Sequence, residues 1–380
     1  MRKIKLSAEN VYLWMLIIYI WRYTIFASLA WHDTYKPFAS YISLFLKFML
    51  CFLFLLLIFI GLLNKNKYYL FGLIFIIPFY LSSTITAEDT LLWSMVLVIF
   101  SKATIFDRVI KVYYKHMLLC LGFIITCYFC NITYDVMKNI SYASGNSLGT
   151  GHSNVIAALL LNLSLLHTYN YLKEKSSIAV LYILAVAGVV WKITNSRTST
   201  ILLVSFAIML VIYNITLKSH TQIILNALKI LIIIVIIGSV YLMINNGQFH
   251  YIRDTSFSVR FSQANIILQQ YGVNLFGSKI EFISTIEASK LGIVALILDN
   301  AYLRLFLYYG IVPTILFVAV IIRVLKNTTK RKDYLFLIMI TVFIIGGFME
   351  KYILLLNMNF TLLGFLNFGT TNESSQEHVL

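Results

Sequence analysis

Ser40 to Leu63 reads SYISLFLKFMLCFLFLLLIFIGLL, a run interrupted by one charge, Lys47. As an α-helix rising 1.5 Å per residue it would be about 36 Å long, enough to cross the ~30 Å hydrocarbon core of a bilayer. No polar stripe runs along it, so no side of it suits water. The rest of the chain repeats the pattern. Apolar segments fall at approximately 11–30, 40–63, 68–87, 90–106, 113–131, 153–172, 177–194, 198–217, 223–244, 300–322, 334–350 and 352–367, the last two weakly separated. The expectation is an all-α, polytopic integral membrane protein with about twelve transmembrane helices, or eleven if the last two are one.

Composition agrees. The 380 residues are 60% hydrophobic and 12% charged, with a mean hydropathy of +0.85. A soluble domain carries roughly twice that charged fraction. The runs are continuous and contain few breakers, with 3 prolines and 17 glycines in all. Strands of a membrane barrel would instead alternate over about ten residues. The first run, Val11 to Ala30, is too long for a signal-peptide core and lacks a small-residue cleavage site, so it is expected to remain as a span. Cys127 and Cys130 form a CxxC with no second ligand pair nearby; this reads as helix packing, and no metal is expected.

The formal net charge of +15 would suggest nucleic acid on a soluble protein. Here the basic residues crowd into short links between apolar runs. With the N-terminus inside, every short inner link is basic: Lys65 and Lys67, Arg108 to Lys115, Lys173 and Lys175, Lys218, and Arg323 to Lys332. Cytoplasmic links carry such an excess. Glu88 and Asp89 fall outside. Both termini are therefore expected in the cytoplasm, and no nucleic-acid partner is implied.

The chain reads as one membrane domain, 1–380, with two longer outer links. One, near 131–151, is rich in Gly, Ser and Asn. The other, 245–299, lies between the ninth and tenth spans. Within it Ser258 to Tyr271 mixes Val259, Phe261 and Ile266 with Arg260, Gln263 and Asn265, the pattern of an amphipathic interfacial helix. Leu291 to Leu298 is apolar but too short to span. No internal repeat is visible, which counts against transporters built from duplicated halves.

Three helices are expected to begin on the outer face, near 153, 198 and 300. Helix N-termini carry free N–H groups and the positive end of the dipole. These starts also carry polar residues: Gly151-His152-Ser153-Asn154, Asn195-Ser196-Arg197-Thr198, and Asp299-Asn300-Ala301-Tyr302. Facing one cavity they would bind a diphosphate, and Arg197, Arg253 and Arg260 would add guanidinium forks that match phosphate oxygens. Lys279 adds a cation in the same loop. Plainer readings stand beside this one. Asn and Ser at helix starts are ordinary N-caps, His152 can simply face water, Arg260 can snorkel to lipid phosphates, and Arg253 sits beside Asp254. Arg197 is harder to dismiss, because an outer boundary disfavours it. Of the charges inside spans, Arg22 and Lys47 should face protein or a watery cavity. Arg304, one turn below Asn300, would either point into the site or be paired structurally.

Taken together these residues resemble the Wzy polymerase and O-antigen ligase superfamily. The resemblance lies in Gly149-Thr150-Gly151-His152-Ser153-Asn154; Asn195-Ser196-Arg197-Thr198-Ser199; Val259-Arg260-Phe261 followed by Asn274-Leu275-Phe276-Gly277; and Asp299-Asn300-Ala301-Tyr302-Leu303 leading to Tyr309-Gly310-Ile311. It implies a GT-C-like glycosyltransferase of the bacterial cell membrane, needing no metal or other cofactor, with its site on the extracytoplasmic side. Donor and acceptor would be polyprenyl-diphosphate-linked glycans, undecaprenyl diphosphate being the expected carrier, and a polysaccharide chain-length regulator is an expected partner. The product would be a surface polysaccharide: capsule, O-antigen or exopolysaccharide. Arg197 and Arg260, supported by Arg253, would stabilise the departing diphosphate. Asn154, Asn300, Tyr302, Arg304 and Lys279 would line the substrate site. In the ligase branch a histidine often opens the late outer-facing helix; here Asp299 takes that place. The proton acceptor is then Asp299, with His152 second and Glu281 third. A flippase for the same lipid, an O-antigen ligase and a small-solute transporter are the competing readings.

Overall fold

A computed structural model describes residues 7–136, 145–173, 175–216, 221–245, 256–283, 287–288, 291–293 and 295–365. Among them the chain is helical, with isolated bridges in place of strands. The helices are α1 (Ala8–Trp21), α2 (Lys36–Leu63), α3 (Lys67–Thr86), α4 (Thr90–Phe100), α5 (Phe106–Phe129), α6 (Ser153–Tyr171), α7 (Ser176–Thr194), α8 (Arg197–Thr216), α9 (Thr221–Ile244), α10 (Ser256–Tyr271), α11 (Ile311–Lys330) and α12 (Tyr334–Gly346).

Among the described residues, five helical stretches are long and apolar enough to cross a membrane: Lys36–Leu63, Lys67–Thr86, Phe106–Phe129, Ser177–Thr194 and Ile311–Lys330. Their outer faces stay bare. On α2 alone Phe45, Phe48, Phe52, Leu55 and Phe59 are exposed, and Phe71 and Ile74 continue the surface on α3. A continuous apolar surface of that extent marks a partner other than water. These helices point to a membrane location.

The links divide into two sets that bond among themselves. In the set expected outside, Ala30 N–H donates to Gly149 O at 2.8 Å and His32 N–H to Ile132 O at 3.2 Å. Asp89 binds Arg22 and Lys47, and Ala301 N–H donates to Gly347 O. In the set expected inside, Arg108 pairs with Glu9 at 2.9 Å and Lys173 with Asp333 at 3.0 Å.

The tenth apolar segment, expected as a helix over 300–322, is broken. Asn300 caps a short turn, Ala301–Leu303, whose continuation Arg304–Tyr309 is a π-helix. The helix is interrupted at Gly310, with φ of +101°, and α11 runs on to Lys330. The loop 274–277 fills the break. Asn274 O and Leu275 O accept from the N–H groups of Ile311 and Val312, which have no partner inside α11. The two sequence motifs Asn274–Gly277 and Tyr309–Ile311 thus cap each other.

The twelfth segment, 352–367, is not an α-helix. Its described part is a series of 3₁₀ turns, Lys351–Leu354, Leu356–Met358 and Phe360–Phe365. It still runs the full depth of the bundle, from Lys351 beside Asp299 to Phe365, whose carbonyl accepts from Asn327 near the far end of α11. Residues 351–365 at about 2 Å per residue cover roughly 30 Å. Nearly all of it is buried in protein, and neighbours satisfy its backbone. Tyr113 donates to Leu356 O, Ser94 accepts from Leu356 N–H, and Asn162 accepts from Phe360 N–H while donating to Asn357 O. Non-helical backbone is tolerated at membrane depth only when protein surrounds it in this way.

Candidate functional site

The beginnings of α6 and α8 meet. Asn195 ends α7 in the left-handed region at φ +50°, so the chain turns back and α8 starts two residues later. That turn brings Arg197 and Thr198 beside His152, Ser153 and Asn154, and all of them line one cavity of ≈ 620 Å³. Arg260 from α10, Gly346 at the end of α12 and Met349 just beyond it also line the wall. α10 packs its apolar residues on protein. Phe261, Ala264 and Ile267 are buried, Phe261 lies 5.6 Å from the ring of Phe348, and Gln263 donates to Ala295 O. That packing aims Arg260 at the cavity.

The two arginines sit differently. Arg197 is exposed and makes no ion pair with a described residue. Arg260 is held: Nη2 lies 3.7 Å from Glu350 Oε1, Nε lies 4.0 Å from Asp299 Oδ2, and Nη1 reaches Met349 Sδ. Glu350 stands in the turn beyond α12 and gathers three elements. It accepts from Asn154 Nδ2 at 3.2 Å and from the Thr198 hydroxyl, besides facing Arg260. Burial and the nearby Asp299 carboxylate push its pKa up to about 8, against the pull of Arg260 and Lys351. Lys351 in turn pairs with Asp299 at 3.8 Å.

His152 caps α6. Its Nδ1 accepts from Asn154 N–H at 3.1 Å, so the proton of the neutral ring sits on Nε2. Burial, with Lys351 nearby and against Asp299, pulls its pKa below the usual histidine value. In this arrangement the ring offers a donor, and it can accept a proton only by giving up the cap.

The other expected site residues are placed apart from the cavity wall. Asp299 stands behind Arg260. Asn300 is buried, capping Tyr302 and Leu303 N–H and donating to Ser239 and Phe348 O. Tyr302 is buried, with its hydroxyl on Ile344 O. Lys279 is exposed on the loop. Arg304 is paired structurally: it donates to Glu88 at 2.6 Å, under the rings of Phe282 and Tyr308. Arg253 lies outside the described residues. Arg22 and the half-exposed Lys47 both pair with Asp89, which also accepts from the Tyr23 hydroxyl.

No family model, curated protein or solved structure matches the chain.

Among the described residues no group of three His, Cys, Asp or Glu side chains is placed to hold a metal. The cavity offers two guanidiniums, one imidazole N–H and the first turns of two helices. Helix N-termini with free N–H groups favour anions, and arginine forks match phosphate oxygens. Reading the sequence missed Glu350 and Lys351, and named Thr198 only as part of a helix start. The available signal was an acid and a base side by side at an outer boundary.

Proposed function

We propose that the chain is a Wzy-type polymerase, a membrane glycosyltransferase that joins polyprenyl-diphosphate-linked oligosaccharide repeat units into a surface polysaccharide. What carries the reading is one observation. Arg197 and Arg260, remote in sequence, line the same cavity as the N-terminal turns of α6 and α8. The proposal includes a GT-C-like bundle of twelve passages, the last as 3₁₀ turns, with both termini cytoplasmic and the cavity on the extracytoplasmic side of a bacterial cell membrane. A chain-length regulator is a proposed partner.

In the reaction an acceptor hydroxyl attacks the donor's anomeric carbon. The new C–O bond forms, the bond from that carbon to the diphosphate oxygen breaks, and the lipid diphosphate leaves. Arg197 and Arg260 stabilise the charge that builds on the leaving oxygen, and His152 Nε2–H donates to it. The acceptor's proton goes to Asp299 once Arg260 has turned to the diphosphate. The flippase reading is weakened by Arg22 and Lys47, which both pair with Asp89; charges expected along a transport route are engaged with a carboxylate of the bundle.

The test is reconstitution. Purified protein in detergent receives lipid-diphosphate-linked repeat units with a chelator present, and product length is read on a gel. A ladder from the wild type that is lost in Arg197→Ala and Arg260→Ala supports the polymerase. Absence of a ladder from well-folded protein that moves the same lipid across liposome membranes would leave the flippase.

A further inference from the structure

The arginine that a diphosphate needs is already engaged. Arg260 stands 3.7 Å from Glu350 and 4.0 Å from Asp299, the long end of ion pairing, and Lys351 shares Asp299 at 3.8 Å. A diphosphate presents oxygens that match both edges of a guanidinium and carries more charge than either carboxylate, so it competes with both. On the diphosphate reading given above, we propose that Glu350 and Asp299 are the carboxyl partners of Arg260 in the empty cavity, and that a diphosphate bound there displaces them and leaves Glu350 protonated.

Two neighbouring carboxylates that lose a shared cation in a place largely closed to water cannot both stay ionised. Their surroundings decide which one takes the proton. Glu350 is 7% exposed, and its remaining partners, the Asn154 amide and the Thr198 hydroxyl, are neutral. Asp299 is half-buried and keeps Lys351. Asp299 therefore stays ionised and Glu350 becomes the neutral acid. Burial and Asp299 already favour the protonated form of Glu350 with Arg260 in place. The other charged groups that face this centre are His152 at the start of α6, Arg197 at the start of α8, and Arg304 through Lys351. A bound anion also favours protonated His152, so its share has to be separated. Glu350 is a positioning residue in this scheme. It holds Arg260 in the empty site, and on loading it splits one carboxylate pair into an acid and a base.

Farnesyl diphosphate is the probe, titrated calorimetrically into the purified full-length protein in buffers of different ionisation enthalpy. The expected result is proton uptake by the wild type that grows from about pH 7 to about pH 9, as the empty site comes to start ionised. His152→Gln keeps this uptake. Glu350→Gln, which preserves an acceptor oxygen, binds the probe at least as tightly and loses the uptake. Wild-type binding without uptake, or full uptake by Glu350→Gln, overturns the exchange while leaving the diphosphate site intact. Should Glu350→Gln fail to fold, infrared difference spectra of the wild type decide. A protonated-carboxyl band gained on binding supports the proposal, and its absence overturns it. If farnesyl diphosphate does not bind the wild type at all, the diphosphate site itself is wrong and the exchange falls with it.

Discussion

Arg197 and Arg260 face one cavity from opposite electrostatic positions: Arg197 stands exposed, while Arg260 lies between the carboxylates of Asp299 and Glu350. Their removal should therefore separate activity from stability. Arg197→Ala deletes a charge that makes no ion pair among the described residues. Polymer formation should fall by about 10²–10³, as for loss of one preorganised donor, with the melting temperature in detergent unchanged.

Arg260→Ala also leaves two acids facing each other. An unpaired buried polar or charged group costs about 1–3 kcal/mol. The variant should lose activity and melt several degrees lower, and adding Glu350→Gln should recover much of the melting temperature without restoring activity. Equal melting temperatures for the two alanine variants would contradict this assignment.

Arg304 gives the opposite expectation, a charge whose role is structural. It is buried, bonded to Glu88 at 2.6 Å, and Tyr309 also donates to Glu88. Breaking a pair of this kind costs about 3 kcal/mol because the survivor is stranded. Glu88→Gln and Arg304→Met should each lower the melting temperature and the yield of folded protein. The double variant should lose less than the sum of the two. Additive losses would show that the pair is not coupled.

How far the sequence could be read follows from these residues. Apolar runs marked the helices, and their starts marked His152, Asn154 and Arg197, because local periodicity and caps carry that information. The fate of 352–367 was not legible. A buried 3₁₀ passage and a membrane helix share the same apolar composition, and the groups that permit the former, Ser94, Tyr113 and Asn162, lie far away in sequence. Glu350 hid for a similar reason. Alone it reads as a boundary charge; only the fold brings Asn154, Thr198 and Arg260 to it. Arg304 left two readings open, and its partner Glu88 was visible only as an outer acid.

The interlock between the two glycine turns gives a further prediction. Gly277 has φ of +91°, and a Cβ there would stand 2.1 Å from Tyr308 O; Gly310 has φ of +101° and backs onto Gly277. Backbone, unlike a flexible side chain, cannot step aside, and an L-residue resists this conformation. Gly277→Ala should displace the loop that caps α11, costing well over ~1 kcal/mol. Limited proteolysis should then cut within 272–283 sooner than in the wild type. An unchanged cleavage rate would show that the loop does not depend on this contact.

Glu350 should also leave its mark on stability against pH. Its folded pKa is raised from the ordinary 4.5 to about 8 by burial and Asp299. Between those values the native state binds more protons than the unfolded state, so stability declines as pH rises through that window. His152 acts the other way. Its folded pKa is lowered from 6.5 by burial, so the unfolded state binds the extra proton and stability rises with pH until 6.5 is passed. The two effects oppose below 6.5, and above it Glu350 acts without His152. The wild-type melting temperature should therefore drop between about pH 6.5 and about pH 8, and Glu350→Gln should flatten that drop. Arg260→Ala should carry the drop to higher pH, because losing the cation raises the carboxyl further. A wild-type profile that is flat above 6.5, or one equally steep in Glu350→Gln, would mean that Glu350 does not hold a proton across that window in the folded protein.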